Sequence, residues 1–184
     1  MLLFSVWSKA QPVITWSTSD YNGFGVSCYS AADGFIDLTV TGGQSPYNFL
    51  WSNNETTEDI SGLSAGFYSV QVIDANQDTV NATIQITEPN ELIATLQSKT
   101  DVSCFGGSDG AINVTITGGT TPYQFGWSNG ANTQNINSLT AGSYTLTVTD
   151  DNGCTATLTE TISEPNELIA TLQSKTDVSC FGGS

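Results

Sequence analysis

The sequence predicts an all-β protein made of tandem β-sandwich modules of about 76 residues each. Three observations carry the prediction. The chain of 184 residues matches itself when shifted by 76: residues 28–87 align with 104–163 without a gap, and 26 of 60 positions are identical. Apolar and polar residues alternate with period two, as in strands that have one buried and one wet face. Turn signals rich in Gly, Asn and Asp recur at intervals of about 8–12 residues, the spacing expected of sandwiches, and no helical period competes with them.

The elements read most clearly in the second copy. Ile112, Val114 and Ile116 alternate with Asn113, Thr115 and Thr117 until Gly118-Gly119 ends the run. Tyr123, Phe125 and Trp127 share one face, and Ser128-Asn129-Gly130 turns the chain. Leu139 to Tyr144 resembles a tyrosine corner, in which the Tyr hydroxyl bonds back to upstream backbone; Leu63 to Tyr68 repeats it. Tyr144, Leu146 and Val148 alternate with Thr145, Thr147 and Thr149. Asp151-Asn152-Gly153 forms a hairpin turn, since Asn and Gly tolerate the positive φ it requires, and a last strand runs from Cys154 to Ile162. Thr dominates the wet face because it is β-branched and uncharged. Six or seven such strands make a small sandwich. Trp51 and Trp127 fall on the third strand, where immunoglobulin-like sandwiches bury a Trp. Trp51, Trp127, Tyr68 and Tyr144 are therefore the expected structural core.

Residues 88–108 recur verbatim at 164–184, all 21 positions being identical. This stretch joins one module to the next. The expected organisation is a first repeat over 12–87, a second over 88–163, and a truncated start of a third over 164–184. Residues 1–11 read as the remnant of a secretory signal peptide, with an apolar run from Leu2 to Trp7 and small residues before Gln11; an ordinary N-terminal strand is the competing reading. No segment reaches the roughly 18 apolar residues needed to span a bilayer.

Eighteen Asp and Glu against three Lys give a net charge of −15. That field repels nucleic acid and anionic membranes. Histidine is absent, which removes the commonest general base, the Ser-His and Cys-His pairs and the commonest zinc ligand. No catalytic residue, cofactor site or enzymatic role is expected.

The run DVSCFGGSDGAINVTITGGTTPYQFGWSNG, then LTAGSYTLTVTDDNGC and EP, resembles the SprB repeat of large cell-surface proteins of gliding Bacteroidetes. The resemblance covers nearly all of 88–163 and most of 26–87. It implies export by the type IX secretion route, surface display and adhesion, and it brings no catalytic residues. A polycystic-kidney-type (PKD-like) sandwich is the nearest rival. The expected function is a stalk or filament that presents an adhesive region, in gliding motility or surface attachment. The expected partners are neighbouring repeats, surface polysaccharide or other surface proteins. The alternative is a set of carbohydrate-binding accessory modules of a secreted multidomain enzyme.

Four cysteines occur, at 28, 104, 154 and 180. In an oxidising compartment Cys104 and Cys154, both within the second module, are the candidate disulfide; closing that loop is worth about 4 kcal/mol on a chain-entropy estimate. Buried free thiols are the alternative. Two features weigh against the bridge. Asp78 stands in the first module where Cys154 stands in the second, which leaves Cys28 without a partner. The first and last turns of a sandwich also lie at opposite ends. Three further groups carry paired readings. Asp74, Asn76 and Asp78 have the D-x-N-x-D look of a calcium loop, against a plain hairpin turn. Glu88, Glu91, Glu164 and Glu167 are acid/base candidates, against a solvated Pro linker. Trp51, Trp127, Tyr47 and Tyr123 are sugar-stacking candidates, against core packing.

Overall fold

The computed structural model describes residues 10–177, all strand, turn and coil without a helix. Most of the expected signal-peptide remnant, and Cys180, lie outside the described residues. Twelve strands form two successive six-stranded units. The first comprises β1 (Val13–Thr18), β2 (Gly34–Thr41), β3 (Asn48–Trp51), β4 (Ile60–Leu63), β5 (Gly66–Ile73) and β6 (Thr79–Ile86). The second comprises β7 (Ile93–Thr100), β8 (Gly110–Thr117), β9 (Gln124–Trp127), β10 (Ile136–Leu139), β11 (Gly142–Thr149) and β12 (Thr155–Ile162). In the first unit β1-β2-β4 form one antiparallel sheet and β3-β5-β6 the other; β7-β8-β10 and β9-β11-β12 repeat this in the second. It is the immunoglobulin-like two-sheet order with a single loop in place of the fourth strand.

Period-two alternation places the two cores. In the first unit Ile36, Leu38, Trp51, Ile60, Leu63, Val70, Val72, Ile84 and Ile86 point inward from both sheets. Ile112, Val114, Trp127, Ile136, Leu139, Leu146, Val148 and Ile162 do so in the second. Trp51 and Trp127 are buried, and each indole N–H donates to a carbonyl six residues on, at Thr57 and Thr133, 2.9 Å in both cases. The bond satisfies the one polar atom that would otherwise make a buried Trp costly. Both tyrosine corners form: the Tyr68 hydroxyl donates to the Ser64 carbonyl and Tyr144 to Thr140, each at 3.0 Å. Tyr68 and Tyr144 pack on the cores from the side, half-buried.

The Gly-Gly pairs have a steric cause. Gly118 has φ +70°, and a Cβ there would lie 1.8 Å from the Glu91 carbonyl oxygen; at Gly42 it would lie 2.5 Å from that of Gln11. The incoming chain crosses directly over these glycines, so no side chain fits. The opening strands β1 and β7 are largely exposed sheet edges rather than alternating strands.

Replacing Trp51 with Ala is expected to destabilise the first unit by about 3–5 kcal/mol. Trp16, 48% exposed on β1, is expected to cost less than about 1 kcal/mol on the same change. Urea unfolding of the two variants checks the contrast.

Candidate functional site at the module junction

Each sandwich has two ends with different chemistry. At the end where the chain arrives, the β2–β3 turn and the β5–β6 turn are tied by one carboxylate. Asp74 accepts the N–H groups of Asn76 and Asp78 on one oxygen and that of Gln44 on the other, at 2.8–2.9 Å. Asp150 does the same in the second unit with Asn152, Cys154 and Thr120. Both side chains are buried. Burial pushes the Asp74 carboxyl up, but the amides of Gln44, Asp78 and Asn76 outweigh it and hold the group below the ordinary value of 3.8. The D-x-N-x-D segment is thus a turn lock: both Asp74 oxygens face amides of the fold. Among the described residues no group of three or more acids, Cys or His gathers as a metal cluster.

At the other end, the β1–β2 loop meets the outgoing chain. The amides of Gly25 and Val26 donate to the Thr87 carbonyl at 2.9 and 3.1 Å, and the Ser30 amide donates to Glu88 Oε2 at 2.7 Å. In the second unit Val102 donates to the Ser163 carbonyl at 3.1 Å and Gly106 to Glu164 Oε2 at 2.8 Å. Glu88 and Glu164, weighed from sequence as acid/base groups against linker acids, pin the linker to the loop that precedes β2 or β8. Within that loop Asp33 accepts from the Ser27 amide and Asp109 from Ser103. The Ser27 side chain lowers the Asp33 carboxyl below its ordinary value, against burial and with the help of backbone amides; Ser103 does the same for Asp109.

The junction places these unlike ends together. Cys28, in the β1–β2 loop of the first unit, is disulfide-bonded to Cys154, in the β11–β12 turn of the second, with Cα atoms 5.8 Å apart. The Cys104–Cys154 pairing expected from sequence does not occur, and Cys104 is a free, exposed thiol. The reason is topological. Cys104 and Cys154 occupy opposite ends of one sandwich, but Cys154 lies at the end that abuts the first unit. Cys28 therefore has a partner after all, one module along. Around the bridge, the Asn152 side-chain amide donates to the carbonyls of Ser27 (3.0 Å) and Tyr21 (3.3 Å). The Asn22 side chain donates to Asp151 Oδ2 (2.9 Å) and Asn152 Oδ1 (2.7 Å). Asn22 sits in a small loop closed by the Tyr21–Phe24 bridge, which the second unit lacks. A shallow cleft at this contact is lined by Cys28, Tyr29, Glu91, Leu92, Cys154 and Thr155.

Sequence reasoning singled out the right turn, Asp151-Asn152-Gly153-Cys154, and paired it with the wrong loop. Asn22 carried no signal, because it lies where the two repeats cease to align. The buried Trp51 and Trp127 belong to the cores, and neither presents a flat open face for stacking on a sugar.

Two immunoglobulin-like sandwiches joined end to end define the class of this protein. Comparison adds a family match over part of each unit. The SprB repeat family model matches residues 26–56 and 96–132, so each unit carries an SprB repeat match running from its loop cysteine through its buried Trp. The N-terminal eight Ig domains of Down syndrome cell adhesion molecule isoform 1.30.30 are similar over 86% of this chain, with 12% identity and a TM-score of 0.44. The chain corresponds to 25% of that structure's length. No curated protein matches the chain.

Asp33, Asp74, Asp101 and Asp109 all have folded pKa values below the ordinary 3.8. The stability they supply is complete above that value and is lost as pH falls through their folded values. Acid unfolding is therefore expected to begin below about pH 4. Asp74→Asn is expected to lower the melting temperature at neutral pH and to flatten the acid limb of the first unit. Thermal melts between pH 2 and 7 check both.

Proposed function

We propose that this chain is a non-catalytic structural array in a secreted cell-surface adhesin, a spacer that holds an adhesive region away from the cell. The observation that carries the reading is the junction. The modules are joined by two covalent connections, the Glu-Pro linker and the Cys28–Cys154 bridge. Module interfaces that are small and polar leave relative motion as the default, and the second connection removes much of that freedom. A disulfide is stable in an oxidising compartment, which supports surface display. The SprB match supports the same setting. Gliding motility and the type IX route are the specific form of this reading. Each eight-residue strand spans about 26 Å, so every module adds a similar length to the thread.

The bridge also shapes how the thread carries load. Tension applied at the two ends crosses from residue 28 to residue 154 through the disulfide and bypasses the chain between them, a sequence separation of 126. Even with both sandwiches unfolded, that chain stays slack. Single-molecule stretching of residues 10–177 is expected to show a final length about 400 Å shorter when oxidised than after reduction, at 3.3–3.6 Å per extended residue. Equal lengths in the two states would contradict a load-bearing staple. No specific retention of the isolated chain on a glycan array is expected either, since Trp51 and Trp127 are buried and Tyr47 and Tyr123 are half-buried.

A further inference from the structure

The far end of the second module repeats three hydrogen bonds of the near side of the junction. Its loop is pinned to the outgoing chain by Gly106 and Glu164 at 2.8 Å, as Ser30 and Glu88 pin the first at 2.7 Å. Ser103 donates to Asp109 at 3.0 Å where Ser27 donates to Asp33 at 3.1 Å. The Gly107 amide closes on the Cys104 carbonyl at 2.9 Å where Ala31 closes on Cys28 at 3.0 Å. Residues 164–168 repeat 88–92, so the leash has the same length and sequence. Two things differ. Cys104 is free and exposed where Cys28 is bonded. Leu168, Ile169 and Leu172 are 96%, 70% and 79% exposed, whereas Leu92, the copy of Leu168, packs on the second core.

We propose that this end is a covalent seat for another module of the second module's type, whose β-turn cysteine bonds Cys104. The occupant is specified by the junction already formed. It carries Cys at the last position of an Asp-x-Gly-Cys turn, as Cys154 does, and its core takes up Leu168 as the second core takes up Leu92. A module of the first type, with Asp78 at that position, is excluded as a bonding partner and therefore starts a run of staples. The seat offers the Ser103 carbonyl as the copy of Ser27 but has no counterpart of Asn22, so the thiol carries more of the contact here than at the first junction. In the bonding step each thiol gives up one proton and one electron to oxidised glutathione, which is reduced to two glutathione thiols. Bridges of this kind overlap along the chain, because each spans 126 positions while the repeat is 76. Every module in the run is then tied to both neighbours.

The repeat itself supplies the test. Appending residues 109–163 after Ser184 completes a copy of the second module in register behind the full chain. The chain, carrying Ser184→Thr so that peptide 177–184 differs in mass from the otherwise identical 101–108, is refolded in a glutathione redox buffer, alkylated, digested with Asp-N and analysed without reduction. In the parent chain Cys104 is expected to alkylate fully. In the extended chain its peptide, 101–108, is expected to be linked to the appended copy of the Cys154 peptide, with loss of Cys104 alkylation. A second extension carrying Asp in place of the appended turn cysteine, as in the first module, is expected to restore alkylation. It also reports folding of the added module independently of the bridge, through burial of its Trp. Continued alkylation of Cys104 beside a folded third module would overturn the proposal, as would a link from Cys104 to Cys180. This inference rests on the spacer reading, yet the two fail separately. An absent second bridge leaves the length difference of the parent chain intact, and loss of that difference leaves the bridge chemistry intact.

Discussion

A single disulfide that crosses between two sandwiches, rather than closing one, is the constraint on which the arrangement of this molecule depends. Each sandwich is complete without it, with its own core, its own tyrosine corner and its own buried Trp. The bridge decides how one sandwich stands on the next. Beside it run the Glu-Pro leash, anchored by Glu88 on the Ser30 amide, and the paired amides of Asn22 and Asn152. A leash alone would let the modules swing and rotate. A second covalent tie, set apart from the first, leaves far less of either motion.

The two ends of each module have separate tasks. The arriving end is locked by a buried Asp that satisfies three turn amides, with Gly-Gly making room for the chain to cross. The leaving end presents a loop cysteine on a short turn held by an Asp and a linker Glu. Neither device depends on a large core, which suits units of this size, whose burial is limited. Charge works along the same axis. With eighteen acids and three Lys, neighbouring copies repel each other broadly, so end-to-end contact is held by local bonds and a bridge rather than by general attraction. The exposed edge strands β1 and β7 carry polar residues among their apolar ones, which blunts sheet-to-sheet pairing.

What was legible in the sequence was local. Alternation over Ile112–Thr117 and Tyr144–Thr149 placed strands; Leu139–Tyr144 placed a corner; Trp127 placed the core; the shift of 76 placed the repeat. Each signal lies within a dozen residues or in the register between copies. The opening strands were harder to read, because β1 and β7 are exposed edges with little alternation. The junction was hidden for a different reason. Pairing Cys28 with Cys154 requires knowing that opposite ends of successive modules meet, and no window of sequence contains that fact. The clue was present in negative form: Cys104 and Cys154 sit at opposite ends of one sandwich, and Cys28 has an Asp where a partner within its own module would be. The two difficulties have one solution, a bond to the neighbour. The D-x-N-x-D segment carries two readings, hairpin turn and calcium loop, since a carboxylate that caps turn amides and one that binds a cation share the same spacing.

The disulfide map of the native chain tests this account most directly. Asp-N cleaves before Asp20, Asp33, Asp101, Asp109, Asp151 and Asp177, which separates Cys28, Cys104 and Cys154 into peptides 20–32, 101–108 and 151–176, and Ser184→Thr sets the Cys180 peptide 177–184 apart in mass from the otherwise identical 101–108. Mass spectrometry of the unreduced digest is expected to find 20–32 joined to 151–176, with 101–108 unlinked. Finding 101–108 joined to 151–176 instead would close the bridge within one sandwich, and the stapled junction would not exist.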